Sequence, residues 1–352
     1  MEELDVVVVG QGLAGTTLGV LLEAKSKAFR IIDNKHRHSS SYMSAGMFNP
    51  IVFKRINKTW CADEALIALN EIDAYTTQHW KQSFLEQLPI VRCFSSLSDE
   101  NLWYDKKEQV AYANVLDDDQ SVKLPEHISA NYGYGVVRGG GRMKAKEYLI
   151  AAKTKWQQTN QYCEEVFDYE ELHQLTDKRW QYKQEWIANR VVFCEGHQIK
   201  ENPYFNNLPV YPNKGELLTI ACEQLDVAFI INKGFFVLPL GNHHYRVGSN
   251  YVWNTDNKTP TAAFREEFET KLKKLLSVPF TIVDHQVGVR PPTRDRRPII
   301  GEHPVYSNLF VMNGLGTKGV LLAPLMGKKL IAHWFNREPI SKEINSNRFN
   351  TL

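Results

Sequence analysis

A run of four valines followed at once by a glycine-rich turn constrains the fold more than any other feature of the chain. Residues 6–9 are β-branched throughout, which is typical of a parallel strand that helices cover on both faces. The turn spans residues 10–15 and leads into a helical pattern that runs to about Lys25. A second apolar run, residues 29–32, ends at Asp33. The sequence therefore predicts a strand–helix–strand unit of about thirty residues at its start.

The glycines of this turn have the spacing of a dinucleotide site. Such glycines permit a tight turn, close approach of the backbone to a pyrophosphate, and close packing of the helix on the strand. The helix N-terminus then faces the phosphates, where its free N–H groups and its dipole favour negative charge. An acidic residue at the end of the second strand accepts hydrogen bonds from ribose hydroxyls. The alternative is a glycine turn that binds nothing, and the turn alone does not distinguish FAD from NAD. The predicted dinucleotide ligands are Gly10, Gly12, Leu13, Ala14, Gly15, Asp33 and Asn34.

Composition and charge narrow the class of protein. The chain has 352 residues, 43% hydrophobic and 23% charged, which suffices for one or two globular domains with a large core. A net charge of +2 gives no strong basic field, so composition does not predict nucleic-acid binding. The five cysteines are scattered and form no CxxC pair, which argues against a disulfide framework or a zinc site. Acidic residues precede the apolar N-terminal run and glycines interrupt it, so we expect a cytoplasmic protein with no membrane span.

The middle of the chain has the patterns of a second, sheet-rich part. Short apolar runs between residues 89 and 126 predict strands of a separate sheet, whereas 190–194 predicts a strand of the first domain. Residues 235–239 and 245–248, separated by a polar tip, predict a hairpin. A helix follows, with Thr259 as the expected N-cap. Its apolar face is formed by Phe264, Phe268, Leu272 and Leu275.

Three stretches that are far apart in the chain together form a further pattern. Ser44-Ala45-Gly46-Met47 comes soon after the second strand. Gly288-Val289-Arg290-Pro291-Pro292-Thr293-Arg294-Asp295, with Pro298 and Gly301, follows near the C-terminus. Gly314-Leu315-Gly316-Thr317-Lys318-Gly319 precedes an apolar helical run that contains Ala323-Pro324. In content and in order these stretches resemble the D-amino-acid oxidase and glycine oxidase (DAO) family of FAD-dependent oxidoreductases.

The resemblance implies the fold and the cofactor. The expected fold is α/β, with a Rossmann-like FAD-binding domain of the glutathione-reductase type, assembled from residues 1–85, 138–205 and 285–352. Residues 86–137 and 206–284 would form an inserted α+β substrate domain with a mixed or antiparallel sheet. FAD is expected to be held without a covalent bond. For Val166 the alternative is a buried strand valine. The resemblance adds as FAD ligands Ser44, Ala45, Gly46, Val166, Glu195, Gly196, Gly314, Leu315, Gly316, Thr317, Lys318 and Gly319.

Arg290 is the residue expected to bind the substrate. A guanidinium is a planar, two-pronged donor that suits a carboxylate. In the family, the arginine of this motif anchors the amino acid beside the flavin. The alternative for Arg290 is a structural salt bridge to Asp295 or Glu302.

Three other residues complete the expected catalytic set. The glycine loop that contains Lys318 leads into a helix, so its N–H groups, the helix dipole and the ammonium would balance the charge of the reduced flavin. The alternative is an ordinary exposed lysine. Met47 would help to shape the pocket, and Phe236 lies on the strand expected to face the flavin.

The implied reaction is oxidation of the C–N bond of a small amino acid or a secondary amine that carries a carboxylate. Hydride would pass to flavin N5, and the electrons would then pass to O₂ or another acceptor. Thr317 departs from the pattern, because glycine oxidases have an arginine there. The loop is closer to the FAD module of bifunctional tRNA wobble-uridine modifying enzymes, which oxidise a carboxymethylaminomethyl group. The alternatives are therefore the same oxidation on a modified tRNA, or flavin binding without catalysis.

Four histidines are the remaining candidates for metal binding or acid–base chemistry, since histidine titrates near neutral pH. They are His36, His38, His243 and His244. No third ligand has a suitable spacing, so we expect exposed loop residues and no metal.

Overall fold

The computed structural model describes residues 1–34, 39–117, 122–253 and 257–349. In these ranges no helix is both long and apolar enough to cross a bilayer. The helices are α1 (Leu13–Ala24), α2 (Ser40–Met43), α3 (Ala62–Trp80), α4 (Leu97–Lys107), α5 (Ala145–Gln158), α6 (Ala262–Leu275) and α7 (Gly319–Asn336). The strands are β1 (Glu2–Val9), β2 (Phe29–Asp33), β3 (Met47–Phe48), β4 (Ile51–Val52), β5 (Asn57–Lys58), β6 (Leu85–Gln87), β7 (Ile90–Cys93), β8 (Leu116–Asp117), β9 (Tyr134–Val137), β10 (Gly141–Met143), β11 (Tyr162–Glu164), β12 (Leu172–Gln174), β13 (Trp180–Tyr182), β14 (Trp186–Phe193), β15 (Asn213–Ala221), β16 (Ile230–Asn232), β17 (Phe236–Gly241), β18 (His244–Gly248), β19 (Val252–Trp253), β20 (Thr281–Arg290), β21 (Ile299–Glu302) and β22 (Leu309–Asn313).

The valine run forms the centre of the first sheet. Strand β1 lies between β2 and β14 and pairs in parallel with both, and β22 pairs in parallel with β14. Val6 and Val8 pack in a cluster with residues of α1 and α7, whereas Val7 and Val9 pack on the other face with aromatic residues such as Trp180. Because both faces are covered, all four valines are buried. The predicted strand–helix–strand unit is confirmed.

A second sheet has nine strands in the order β19-β15-β18-β17-β16-β7-β9-β8, with β20 paired to β15. Its pairs are antiparallel except β16 with β7, so the sheet is mixed, as expected. The predicted hairpin is formed by β17 and β18, and its tip contains Asn242 and His243 at φ values of 50° and 55°. The domain boundaries given above stay a prediction.

The two faces of the second sheet have different partners. Val237 and Val247 lie on the face that packs on α6. Phe236 and Leu238 alternate with them and pack with Ala45, Met47 and neighbouring residues instead. This second face therefore carries the residues expected at the substrate site.

Helix α6 begins two residues later than predicted. Its N-cap is Thr261, whose hydroxyl accepts a hydrogen bond from the N–H of Phe264 at 3.4 Å. The prediction of Thr259 as the cap is wrong, because the Thr259 hydroxyl bonds to Asn257 and its carbonyl accepts from Lys214.

A buried carboxylate fastens α6 to the second sheet. Glu216 on β15 is 0% exposed and accepts hydrogen bonds from the N–H and the hydroxyl of Thr261, both at 2.8 Å. Lys214 Nζ lies 3.4 Å from the same carboxylate, and His285 Nε2 lies 2.9 Å from it. Burial works to raise the pKa of Glu216, but the Thr261 hydrogen bonds and the two basic neighbours outweigh it and lower that pKa.

Replacing this carboxylate should destabilise the protein strongly. We expect Glu216→Ala to lower the free energy of unfolding by about 3–5 kcal/mol, because it leaves the buried ammonium of Lys214 without its counter-charge. The matched control is Glu267→Ala, which removes an exposed ion pair with Lys271 on α6 and should cost less than about 1 kcal/mol. Thermal unfolding of both variants measures the difference. Equal losses would show that the buried network contributes no more than the surface pair.

Candidate cofactor and substrate site

The glycine turn joins β1 to α1 at the carboxyl end of the parallel strands. Gly10 has a φ of +100°, and a side chain there would lie 2.7 Å from the carbonyl oxygen of Cys194. A side chain at Gly15 would lie 1.9 Å from the carbonyl oxygen of Gly10. The N–H of Gln11 donates to Oδ1 of Asp33 at 2.9 Å. Strand, helix and acidic residue are thus as close as a pyrophosphate-binding turn requires.

The N-terminus of α1 has polar neighbours that the sequence analysis missed. Gly12 is the N-cap and supplies no side chain. The N–H of Leu13 donates instead to Oγ of Ser41 on α2, at 3.0 Å. Asn34 follows Asp33, and its buried Oδ1 has no hydrogen-bond partner among the described residues. A buried acceptor without a donor is expected where a ligand supplies one.

Strand β14 ends beside the turn and positions Glu195 and Gly196. The Glu195 carboxylate accepts hydrogen bonds from the hydroxyl of Tyr169 and, at 2.7 Å, from Nδ2 of Asn202. Burial raises the pKa of Glu195 to about 7, although both hydrogen bonds act to lower it. The carbonyl of Gly196 accepts from Nδ2 of Asn313 at 2.9 Å, which ties this strand end to the last strand of the sheet.

The predicted Ser44-Ala45-Gly46-Met47 segment follows α2, which lies against β20. A side chain at Gly46 would lie 1.9 Å from the carbonyl oxygen of Met143, so only glycine fits there. Met47 pairs with Arg142 across β3 and β10. Met47 and Phe236 contact the same apolar cluster, so the structure brings these two predicted pocket residues together.

The glycine loop before α7 meets the segment that directly follows Arg290. Leu315 pairs with Pro292 in an isolated bridge, and a side chain at Gly316 would lie 3.5 Å from the same proline. Leu315 itself is buried, whereas Thr317 is exposed. The second and third stretches that resemble the family are therefore neighbours in space.

Lys318 stands at the start of α7, which begins at Gly319. Its Nζ donates to the carbonyl of Asn49 at 3.1 Å, which joins the C-terminal loop to the segment after Met47. Burial lowers the pKa of the Lys318 ammonium to about 8. The alternative of an ordinary exposed lysine is therefore wrong.

Among the described residues, only neutral acceptors bind the Arg290 guanidinium. Nη1 donates to Oδ1 of Asn213 at 2.9 Å and to the carbonyl of Asn250 at 3.1 Å, and Nη2 donates to Oγ of Ser249 at 2.7 Å. A side chain at Gly215 would lie 2.0 Å from Nη2, so glycine makes the space that the guanidinium fills. Of the five N–H groups, those remaining on Nε and Nη2 have no acceptor in the described part of the chain.

The salt-bridge alternative for Arg290 is not what the structure holds. Within the described ranges, no carboxylate oxygen lies within 4.0 Å of its nitrogens. Asp295 is bonded to Arg348 instead, and Glu302 accepts from the N–H of Asn308. Burial lowers the pKa of Arg290 below its usual value. A largely buried cation to which the described residues offer no counter-ion, placed next to the predicted flavin loop, suits an anionic ligand.

The residues that hold Arg290 were not predicted. Asn213, Ser249 and Asn250 are 40 or more residues distant in the chain, so no local spacing reveals them. Tyr251 was missed for the same reason, and its ring centroid lies 4.8 Å from the guanidinium carbon. A guanidinium over an aromatic face at this distance is attracted by the ring.

Val166 lies apart from the other predicted ligands. Its side chain is 70% exposed and follows β11, so the alternative of a buried strand valine is wrong. Its contact with FAD stays a prediction. His243 and His244 are exposed at the hairpin tip, as expected, whereas His36 and His38 lie outside the described residues.

This arrangement fits a flavin dinucleotide. The turn has no room for side chains at Gly10 and Gly15, as the tight turn and the close helix–strand packing of a pyrophosphate-binding site require. Asn34 offers a buried acceptor that the described residues leave unpaired. Lys318 is a partly buried cation at a helix N-terminus, and both features favour an electron-rich ring edge.

Comparison with known proteins agrees with this fit. The model of the family described as "DAO: FAD dependent oxidoreductase" matches residues 5–334. The chain is 32% identical to the glycine oxidase of Pseudomonas putida (strain KT2440), and the match covers 91% of both chains. It is 22% identical to the tRNA 5-methylaminomethyl-2-thiouridine biosynthesis bifunctional protein MnmC of Legionella pneumophila (strain Lens), over 96% of this chain and 55% of that one. The chain thus spans about half the length of the bifunctional relatives.

Two solved structures show the same fold. The glycine oxidase from Geobacillus kaustophilus superposes with a TM-score of 0.79 at 19% identity, covering 97% of this chain and 96% of that one. The iminodiacetate oxidase from Chelativorans sp. BNC1 superposes with a TM-score of 0.78 at 15% identity, covering 96% of both. The expected α/β architecture, a Rossmann-like domain with a sheet-rich second part, is confirmed.

The raised pKa of Glu195 gives a prediction about pH. The pKa of the Glu195 carboxyl in the folded protein, about 7, exceeds its ordinary value of 4.5. The contribution of this carboxyl to the free energy of unfolding is therefore complete below pH 4.5 and is lost as pH rises through about 7. The melting temperature of Glu195→Gln minus that of the unsubstituted protein should therefore increase by about 2–6 °C between pH 5 and pH 8. Thermal unfolding with saturating FAD measures it. The control is Glu170→Gln, at an exposed site nearby. If the melting temperatures of all three proteins depend on pH in the same way, the raised pKa of Glu195 is contradicted.

Proposed function

The chain belongs to the DAO family of FAD-dependent oxidoreductases, and we propose that it oxidises the C–N bond of a small amino acid or secondary amine that carries a carboxylate. An enzyme of the amino-acid oxidase type needs a cation for the substrate carboxylate beside the flavin. Arg290 supplies that cation, and its lack of any described carboxylate partner is the observation on which the proposal depends.

The residues of the chain bind and orient the substrate. When bound, FAD supplies a two-electron acceptor for the hydride on the carbon next to the amine nitrogen. The open N–H groups of Arg290 would hold the carboxylate and fix the position of that carbon. Lys318 and the first turn of α7 would place positive charge near the flavin ring. Met47 and Phe236 would exclude water from the apolar side of the pocket.

The names of the relatives support the same class of substrate. One relative acts on glycine, and one solved structure is an oxidase of iminodiacetate, in which a secondary amine carries carboxylates. A glycine unit with or without a second group on nitrogen therefore suits the site. O₂ or another acceptor would reoxidise the flavin.

Flavin reduction tests the proposal directly. We expect the purified protein to bind FAD, and its visible absorbance to bleach anaerobically with glycine or an N-substituted glycine such as N-methylglycine. Arg290→Ala and Arg290→Lys should each lower kcat/KM at least about 100-fold, because the two-pronged donor for the carboxylate is lost. Arg265→Ala removes an exposed arginine of α6 and is the matched control.

Two outcomes would overturn the proposal. One is a protein that takes up no FAD on reconstitution. The other is retention of full turnover by the Arg290 variants, which is what flavin binding without catalysis at this site would give.

A second candidate substrate is a carboxymethylaminomethyl group on a modified tRNA. Arg294 and Arg296 are exposed just after Arg290, and the Arg297 guanidinium lies 5.1 Å from the ring centroid of Trp60. Basic and aromatic side chains together suit single-stranded RNA. A bifunctional tRNA-modifying relative aligns over 96% of the chain.

RNA binding at varied salt tests this candidate. If it is right, unmodified tRNA binds with an affinity that falls steeply as salt rises, because bound phosphates release counter-ions. The double variant Arg294→Glu, Arg296→Glu should weaken binding about tenfold or more, whereas Arg265→Glu should not. Absence of binding at low salt, or equal loss in both variants, would leave only the small-molecule substrate.

A further inference from the structure

Three large aromatic side chains are exposed around Arg290. Tyr211 is 47% exposed, Tyr251 59% and Trp253 51%. A single exposed aromatic residue is ordinary on a protein surface. Tyr211, Tyr251 and Trp253 lie beside a largely buried cation for which the described residues supply no counter-ion, and we call the surface that these three residues form the aromatic rim.

Strand register places the rim next to the guanidinium. Asn213 pairs with Arg290 on one side and with Trp253 on the other, so these three side chains lie in one row on one face of the sheet. Residues directly opposite each other on neighbouring strands have Cβ atoms roughly 5 Å apart. Trp253 is therefore within about two strand spacings of Arg290.

Tyr211 extends the rim toward the flavin loop. Its N–H donates to the carbonyl of Pro292 at 2.9 Å, and Val210 bridges to Thr293. The same Pro292 pairs with Leu315. Pro292, two residues after Arg290, thus lies between Tyr211 and the loop that is expected to contact the flavin.

Tyr251 is the rim residue that lies directly next to the guanidinium. The segment that contains it, residues 249–251, joins β18 to β19 and binds the guanidinium through Ser249 and Asn250. The Tyr251 ring lies 4.8 Å from the guanidinium carbon. A ligand bound to Arg290 would therefore lie near the Tyr251 ring.

We propose that the aromatic rim stacks a planar ring on the second substituent of the amine nitrogen. The substrate class is then a secondary amine that carries a carboxymethyl group and an aromatic or heteroaromatic group. Aromatic side chains at an entrance gain most from a ligand with a π-face, since stacking adds to simple burial. This inference rests on the proposed function, because it takes Arg290 as the carboxylate site.

Comparing kcat/KM for two N-substituted glycines tests the inference. We expect kcat/KM for N-benzylglycine to exceed that for N-methylglycine about tenfold or more. Trp253→Ala should lower the ratio of the two values about 5- to 50-fold, and Tyr211→Ala should lower it in the same direction. Tyr132→Ala removes a tyrosine that is 43% exposed elsewhere on the molecule and should leave both values unchanged.

A binding measurement separates the inference from the chemistry. Benzyloxyacetate and methoxyacetate have an oxygen in place of the amine and cannot be oxidised in the same way. Calorimetric titration of the FAD-loaded protein should show tighter binding of benzyloxyacetate, and Trp253→Ala should remove most of the difference. Equal affinities for benzyloxyacetate and methoxyacetate would contradict the proposed stacking on the aromatic rim, even if N-methylglycine is oxidised.

A third ligand shows whether the ring that stacks on the rim is a nucleobase or part of a small aromatic amine. 5-Carboxymethylaminomethyluridine carries the same carboxymethyl amine on a nucleobase. If it is oxidised faster than N-benzylglycine, the ring is a nucleobase; if it is oxidised more slowly, the ring belongs to a small aromatic amine. If no N-substituted glycine is oxidised, the proposed function fails, and the inference fails with it.

Discussion

The contact between the backbones of Gly10 and Gly15 is the constraint on which the rest of the structure depends. A side chain at position 15 would lie 1.9 Å from the carbonyl oxygen of Gly10, so α1 can pack this closely on β1 only through glycine. The same turn places Gly10 against Cys194 at the end of β14. Because β14 also pairs with β22, the turn, the strand end at Gly196 and the C-terminal loop come to one edge of the first sheet.

At that edge the second sheet contributes a charge that the described protein groups do not neutralise. Taking a guanidinium out of water is costly, and hydrogen bonds to Asn213, Ser249 and Asn250 offset only part of that cost. A carboxylate that binds to the open N–H groups would restore the missing interaction. Lys318 is in a similar position, since burial lowers its pKa and a backbone carbonyl is its hydrogen-bond acceptor. In the proposed function the two cations differ in role, because Arg290 would hold the substrate carboxylate and Lys318 would place positive charge near the flavin ring.

Much of this arrangement could be predicted from local pattern. The valine run and the glycine spacing are short-range signals, and they predicted the strand–helix–strand unit and its Asp33 neighbour. The hairpin 236–248 was equally visible, because alternation and a polar tip are local. The cap of α6 was misplaced by two residues, since the choice of Thr261 over Thr259 depends on Glu216, which lies 45 residues away. Ser41, Asn213 and Tyr251 were missed because only the folded chain brings them to Leu13 and Arg290.

A crystal structure of the FAD-loaded protein with methoxyacetate tests the central claim most directly. We predict that the ligand carboxylate accepts hydrogen bonds from Arg290 through Nε and Nη2, while Asn213, Ser249 and Asn250 keep their present bonds to the guanidinium. A carboxylate bound at any other place, with the open N–H groups of Arg290 facing only water, would contradict the account.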